Sequence, residues 1–195
     1  GRQPVPVSVN LSRVGFYNPK LCEHLYKTAQ KYRLPLDLLE LEVTETAYAS
    51  DSRTIHSHIR QLRRMGFKIL MDDFGSGYSS LNMLNQMPID ILKLDMTFIR
   101  SETAKPADQG VLQFIMELAR RMHLSVVAEG VETKEQLDRL GETGCDYVQG
   151  YYFARPMPVE NFVSVLTAQA PPADMENRRT AGSVDHMDMA LLVAD

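Results

Sequence analysis

Cysteine is scarce in this chain: two residues in 195, neither in a CxxC pair. Cys22 and Cys145 lie in unrelated contexts, which argues against a disulfide framework and a thiolate metal centre and fits a reducing cytoplasm. Charge of one sign is also lacking. Lys and Arg number 21 against 25 Asp and Glu, a net charge of −4, and the basic residues are dispersed. No duplex nucleic acid or anionic membrane is expected as a partner, and any nucleotide ligand should be small. No apolar run approaches the roughly 20 residues that cross a bilayer, and the first residues lack the charged-then-apolar order of a signal peptide. No membrane contact is therefore expected from this segment, although a parent protein can carry an anchor elsewhere.

What is present suits a globular core. Hydrophobic residues make up 44% of the chain, enough for one domain with extra length at an end. Six stretches rich in Val, Ile and Leu recur: "VPVSVNLS" from Val5, "LLELEVTE" from Leu38, "FKILMDDFG" from Phe67, "IDILKLD" from Ile89, "LSVVAEGVE" from Leu124 and "DYVQGYYF" from Asp146. Each reads as a buried strand. Segments of helical period lie between them, at Lys20–Tyr32, Thr54–Met65, Gly110–Met122 and Lys134–Gly144. The alternation predicts an α/β fold with a parallel sheet of right-handed β-α units.

Polar residues gather toward the strand ends: Asn10, Glu42 with Glu45, Asp72 with Asp73, Lys93 with Asp95, Glu129 with Glu132, and Gln149. In a TIM-like β/α barrel those ends surround one mouth, where the active site sits, whereas an open doubly wound sheet gathers its ligand groups from two or three loops. Six strands supplying acids, amides and one lysine describe a single barrel pocket. A complete barrel takes about 250 residues, and this chain opens at a strand, so its first units are expected to be truncated at the N-terminal side. Residues 1–167 read as this partial domain. The Pro-, Ala- and charge-rich residues 168–188 read as a linker, and residues 189–195, apolar and β-compatible, as the first strand of a further domain or a frayed tail.

Asp72 and Asp73 are adjacent at the end of an apolar run, where like charges repel unless a cation lies between them. Gly75 and Gly77 follow in "FGSGYSSL" and allow a tight loop over the mouth. With Asn10, Glu42 and Glu129 on other strands, the oxygen-only set selects hard cations such as Mg²⁺ or Mn²⁺ over zinc. Two ions about 3.5–4 Å apart would suit phosphodiester cleavage. Lys93, between Leu92 and Leu94, should be paired with the acids or bind a phosphate or water. His24, His56, His58 and His123 sit on helices or their ends and read as solvated or capping groups, and the Met residues as core filler.

Together "VNLS", "ELEVTE", "DDFGSGYSSL", "DILKLD", "AEGVET" and "QGYYFARP", in this order, resemble the bacterial EAL domain family, the phosphodiesterases that degrade cyclic di-GMP. The resemblance covers Val5–Leu166. It implies a TIM-like barrel of the EAL type with one antiparallel strand, and metal-dependent hydrolysis of cyclic di-GMP to pGpG. It also implies metal ligation by Asn10, Glu42, Asp72 and Asp73, with Asp72 bridging. Glu129 would ligate the second ion through water or act as general base, and Lys93 and Gln149 would orient the attacking water. Glu45 would anchor the loop of residues 73–81, and Gly75, Ser76, Gly77, Tyr78, Phe153 and Pro156 would contact the dinucleotide. A homodimer formed near that loop is a further implication. The Glu-Ala-Leu sequence that names the family does not occur in the chain and would lie upstream of Gly1. Every position that can be compared keeps its functional residue type, which favours an enzyme over the alternative, a non-catalytic cyclic di-GMP receptor. An enolase-like barrel with a Lys base and Mg²⁺ would not produce this order of blocks.

Overall fold

A computed structural model describes residues 5–50, 52–75, 84, 87–95, 110–168 and 188–189. The strands are β1 (Val7–Asn10), β2 (Leu39–Thr44), β3 (Lys68–Phe74), β4 (Ile91–Leu94), β5 (Ser125–Ala128), β6 (Tyr147–Val148) and β7 (Asp188–Met189). The helices are α1 (Leu21–Tyr32), α2 (Glu45–Ser50), α3 (Ser52–Met65), α4 (Val111–Arg121), α5 (Lys134–Thr143) and α6 (Val159–Ala168). The sheet order follows the chain order from β1 to β7, and all six pairings among the described residues are parallel. The first six strands curl into part of a TIM-like barrel with helices on its outer side.

Strands β2 to β5 are largely buried on both faces, which their apolar composition requires. Alternate residues Leu41, Val43, Ile69, Met71, Leu92, Leu94, Val126 and Ala128 enter one core cluster with Ile55, Ile59 and Leu62 of α3 and Leu112, Ile115, Met116 and Ala119 of α4. The residues between them, including Glu42, Leu70, Lys93 and Val127, turn to the inner face of the curl. The helices repeat apolar positions at the spacing that makes one stripe. A capping box starts α5: Gln136 N–H donates to Thr133 Oγ1 at 3.3 Å, while Gln136 Oε1 accepts from Thr133 N–H at 3.0 Å.

β1 differs from the buried strand expected of "VPVSVNLS". Val7 and Val9 are 40% and 43% exposed, because β1 has a neighbour on one side only among the described residues. The ring of His56 is also not solvated but stacks on Tyr48 at 3.9 Å. Asp188 and Met189 pair with Tyr147 and Val148 of β6, and residues 190–195 lie outside the described residues. No helix among the described residues is long and apolar enough to cross a membrane.

Candidate active site

Lys93 Nζ is the hub of the inner face. It lies 2.8 Å from Glu42 Oε1, 3.1 Å from Asp72 Oδ1 and 2.6 Å from Glu129 Oε1. The four groups come from β2, β3, β4 and the residue after β5, so the sheet itself sets their separations. Its alignment runs Asn10 beside Glu42 across β1 and β2, Thr44 beside Asp72 across β2 and β3, and Leu94 beside Ala128 across β4 and β5. The N–H of Glu129 extends that ladder by donating to Leu94 C=O at 3.0 Å.

Three carboxylates against one ammonium leave an excess of negative charge in a buried place. Burial works to strip the Lys93 proton, but Glu129 and Glu42 outweigh it and hold the ammonium well above its ordinary pKa. The Glu129 carboxyl is pushed up by burial, which the attraction of Lys93 does not cancel and to which Asp72 and Glu42 add. Lower on the same face Glu40 accepts from Ser8 Oγ at 3.1 Å, and burial raises its carboxyl also. Glu40 had no expected role, though its two-residue spacing from Glu42 in "LELEVTE" marks it as sharing that face.

A β-bulge brings the second aspartate to the mouth. Met71 pairs with Leu92 but Phe74 pairs with Leu94, so β3 holds one extra residue. Asp73 adopts a left-handed backbone there, φ 56°, and its N–H donates to Asp72 Oδ1 at 3.0 Å. Its carboxyl is raised by partial burial, then by Asp72 and Asp95. Glu45, the first residue of α2 and 3% exposed, accepts from the Gly75 N–H at 3.0 Å through Oε2. Glu45 therefore ties the start of the loop after β3 to the end of β2.

The remaining expected residues are more dispersed. Gln149 is held by its backbone, donating to Ala128 C=O at 2.8 Å and accepting from Val131 N–H at 3.0 Å. Phe153 packs partly against the core and edge-on to Tyr152 at 5.2 Å, and Pro156 is exposed. Ser76, Gly77 and Tyr78 lie outside the described residues. Among the described residues, no hydrogen bond or ion pair joins the Asn10, Asp73 or Gln149 side chains to Lys93. No three acidic, histidine or cysteine side chains among the described residues are grouped as ligands for a metal ion, and the Lys93 ammonium stands between Glu42, Asp72 and Glu129.

A family model described as the EAL domain matches residues 1–156. The chain belongs to the EAL domain family. It is 38% identical over 175 residues to cyclic di-GMP phosphodiesterase NbdA of Pseudomonas aeruginosa, covering 88% of this chain and 22% of that protein. The solved structure of the PaMucR phosphodiesterase, a c-di-GMP complex, matches with a TM-score of 0.74 at 37% identity, over 80% of this chain and 64% of that one. Klebsiella pneumoniae BlrP1 in its manganese/cy-diGMP complex matches with a TM-score of 0.72 at 30% identity, over 77% of this chain and 38% of that one. The chain spans between 20% and 41% of the length of curated relatives that it matches at 37% to 38% identity. Its curled parallel sheet is thus part of an EAL-type barrel, with the acid–lysine cluster on the inner face.

Proposed function

We propose that this EAL domain serves metal-dependent hydrolysis of cyclic di-GMP to linear pGpG in bacterial second-messenger signalling, in the cytoplasm. The convergence of Glu42, Asp72 and Glu129 on Lys93 Nζ, at 2.6 to 3.1 Å, carries the reading. The names of NbdA and of the PaMucR complex support the reaction and the ligand.

The residues suit divalent cations in two respects. Their donors are carboxylate and amide oxygens, the hard set preferred by Mg²⁺ and Mn²⁺. Their charges are also under-compensated: the Asp73 carboxyl is raised by partial burial and then by neighbouring Asp72, and a cation would relieve the charge crowding. Asn10, Glu42, Asp72 and Asp73 would hold two ions. Bound there, the ions would supply charge neutralisation at the phosphate and a more acidic attacking water.

The chain's own groups divide the rest of the work. Glu129, whose burial makes it a stronger base than an ordinary carboxylate, takes a proton from water as the water oxygen bonds to phosphorus. The bond from phosphorus to the ribose 3′ oxygen breaks, that oxygen takes a proton from solvent water, and Glu129 returns the proton it accepted to solvent. Lys93, kept protonated, offsets negative charge on the phosphate. Gln149 orients the water, and Glu45 fixes the loop that begins at Gly75. Gly75, Ser76, Gly77, Tyr78, Phe153 and Pro156 are the proposed dinucleotide contacts, and a homodimer through residues 73–81 is the proposed assembly.

The test is to incubate the chain, and a version extended upstream through a Glu-Ala-Leu strand, with cyclic di-GMP and Mg²⁺ or Mn²⁺, then separate the nucleotides. Formation of pGpG by either supports hydrolysis. Binding by both without pGpG favours a receptor, and neither binding nor cleavage removes the reading.

A further inference from the structure

Two aspartates at the far end of the sheet from the mouth hold neighbouring strands in a shared way. Asp90, just before β4, accepts from Ile69 N–H of β3 at 3.1 Å through Oδ2, while its own N–H donates to Ile69 C=O at 2.9 Å. Its carbonyl then accepts from Ser125 N–H of β5 at 3.1 Å. Asp146, just before β6, accepts from Val126 N–H of β5 at 2.8 Å through Oδ2. In each case a carboxylate takes a backbone donor at the start of the preceding strand.

The spacing links these bonds to the mouth. Asp90 precedes Lys93 by three residues, and its partner Ile69 precedes Asp72 by three. Asp146 precedes Gln149 by three, and its partner Val126 precedes Glu129 by three. A parallel strand advances about 3.3 Å per residue, and a slip of one residue would turn its inward set to the other face. A slip of β4 on β3 would therefore carry Lys93 away from Asp72, and a slip of β6 on β5 would carry Gln149 away from Glu129. β4 and β6 are short, four and two residues, so few ladder bonds oppose such a slip.

We infer that Asp90 and Asp146 are positioning residues for the mouth, clamping strand alignment so that Lys93 meets its acids and Gln149 lies beside Glu129. The inference rests on the hydrolytic reading only for its kinetic consequence.

Asp90→Ala and Asp146→Ala remove the acceptor, whereas Asp90→Asn and Asp146→Asn keep an oxygen that can accept the same N–H. Arg63→Gln is the control for Asp90, because it removes the ion pair between Arg63 and Asp90, 3.0 Å long, and leaves the clamp. The first readout, on the 195-residue chain, is the ¹⁵N–¹H signal of the Lys93 ammonium, with thermal melting alongside. Asp90→Ala should lose or shift that signal, while Asp90→Asn and Arg63→Gln should keep it. For the Asp146 variants the same comparison is made on the backbone ¹⁵N–¹H signal of Gln149, which donates to Ala128 C=O at 2.8 Å. Turnover of cyclic di-GMP by the upstream-extended chain is the second readout. There kcat should fall at least about 100-fold in the Ala variants at unchanged KM, since even a misplacement near 1 Å can cost that much, and return in the Asn variants. A folded Asp90→Ala variant with the native Lys93 signal, or a folded Asp146→Ala variant with the native Gln149 signal, overturns the inference. So does loss of the corresponding signal in an Asn variant that melts like wild type, and this result needs no folded Ala variant. Lys93 and Gln149 signals that behave as expected, with no turnover from unsubstituted protein, would leave the clamp standing and remove the hydrolytic reading.

Discussion

The ammonium nitrogen of Lys93 lies 2.6 Å from Oε1 of Glu129, the shortest of its three carboxylate contacts. Both groups have raised pKa values, and the two directions are compatible. One ammonium serves three acids, so each acid gains only part of its attraction, while the ammonium gains from all of them. Glu129 is left with a burial cost that Lys93 does not cancel, and that makes it more basic than an ordinary carboxylate.

Replacing Lys93 with Met should leave Glu42, Asp72 and Glu129 facing one another with no cation. Removing one partner of a buried charge pair typically costs about 3–5 kcal/mol. Urea unfolding in EDTA should show a loss of that order, and Mn²⁺ should restore part of it by taking up the uncompensated charge. A metal-free variant as stable as wild type would show that water already solvates these acids.

Glu45→Ala should act without touching Lys93 or its acids. It removes the acceptor of the Gly75 N–H, 3.0 Å away, and so frees the first turn after Asp73. Losses of this indirect kind cost about 10- to 100-fold in metal affinity or activity. Glu45→Gln retains an acceptor and should recover most of it. Mn²⁺ titrations of the Ala variant that overlay wild type would rule out the anchoring role.

Strand and helix positions were legible wherever the period was strong. The helix expected at Lys20–Tyr32 begins at Leu21, and the one expected at Lys134–Gly144 ends at Thr143, with Gly144 as its left-handed cap. The meeting of Glu42, Asp72, Lys93 and Glu129 followed from their place at strand ends. Three features were not legible. The bulge at Asp73 depends on how β3 aligns with β4, a property of two distant segments and not of "MDDF" alone. Asp90 and Asp146 fall inside stretches that read as strands, and their acceptor role requires knowing which strand lies alongside. The helix Glu45–Ser50 was also missed: "ETAYAS" is short and directly continues a strand.

Cys145 should make stability depend on alkaline pH. Burial pushes its thiol up to about 12, whereas in the unfolded chain it titrates near the ordinary cysteine value of about 8.5. Its folded pKa is raised, so its contribution is fully present below the unfolded value and is lost as pH rises toward the folded one. In that window the unfolded chain has released a proton that the folded chain retains, and stability falls by up to about 1.4 kcal/mol per pH unit. Between pH 8 and pH 10.5, wild type should therefore lose more unfolding free energy than Cys145→Ala. Equal losses would mean that the thiol ionises in the native state.

Gly150 sits at a close backbone crossing with Val131, next to the mouth. A Cβ added there would lie 2.2 Å from Val131 O and 2.3 Å from Val131 N, distances that real Cβ contacts do not reach. The obstacle is main chain, so no side-chain rotation relieves it. Val131 meanwhile donates to Gln149 C=O at 3.0 Å and accepts from Tyr152 N–H at 2.9 Å, and moving it would strain both bonds. Each buried group left unpaired costs about 1–3 kcal/mol. Gly150→Ala should thus lower the unfolding free energy by at least about 2 kcal/mol, if both bonds are lost. It should also displace Gln149, whose backbone is held by the same crossing. In the upstream-extended chain, turnover should fall further than the loss of folded protein explains, because Gln149 is displaced in the molecules that remain folded. An Ala variant with wild-type melting would show that the chain around Val131 yields freely, and the placement of Gln149 would then need another support.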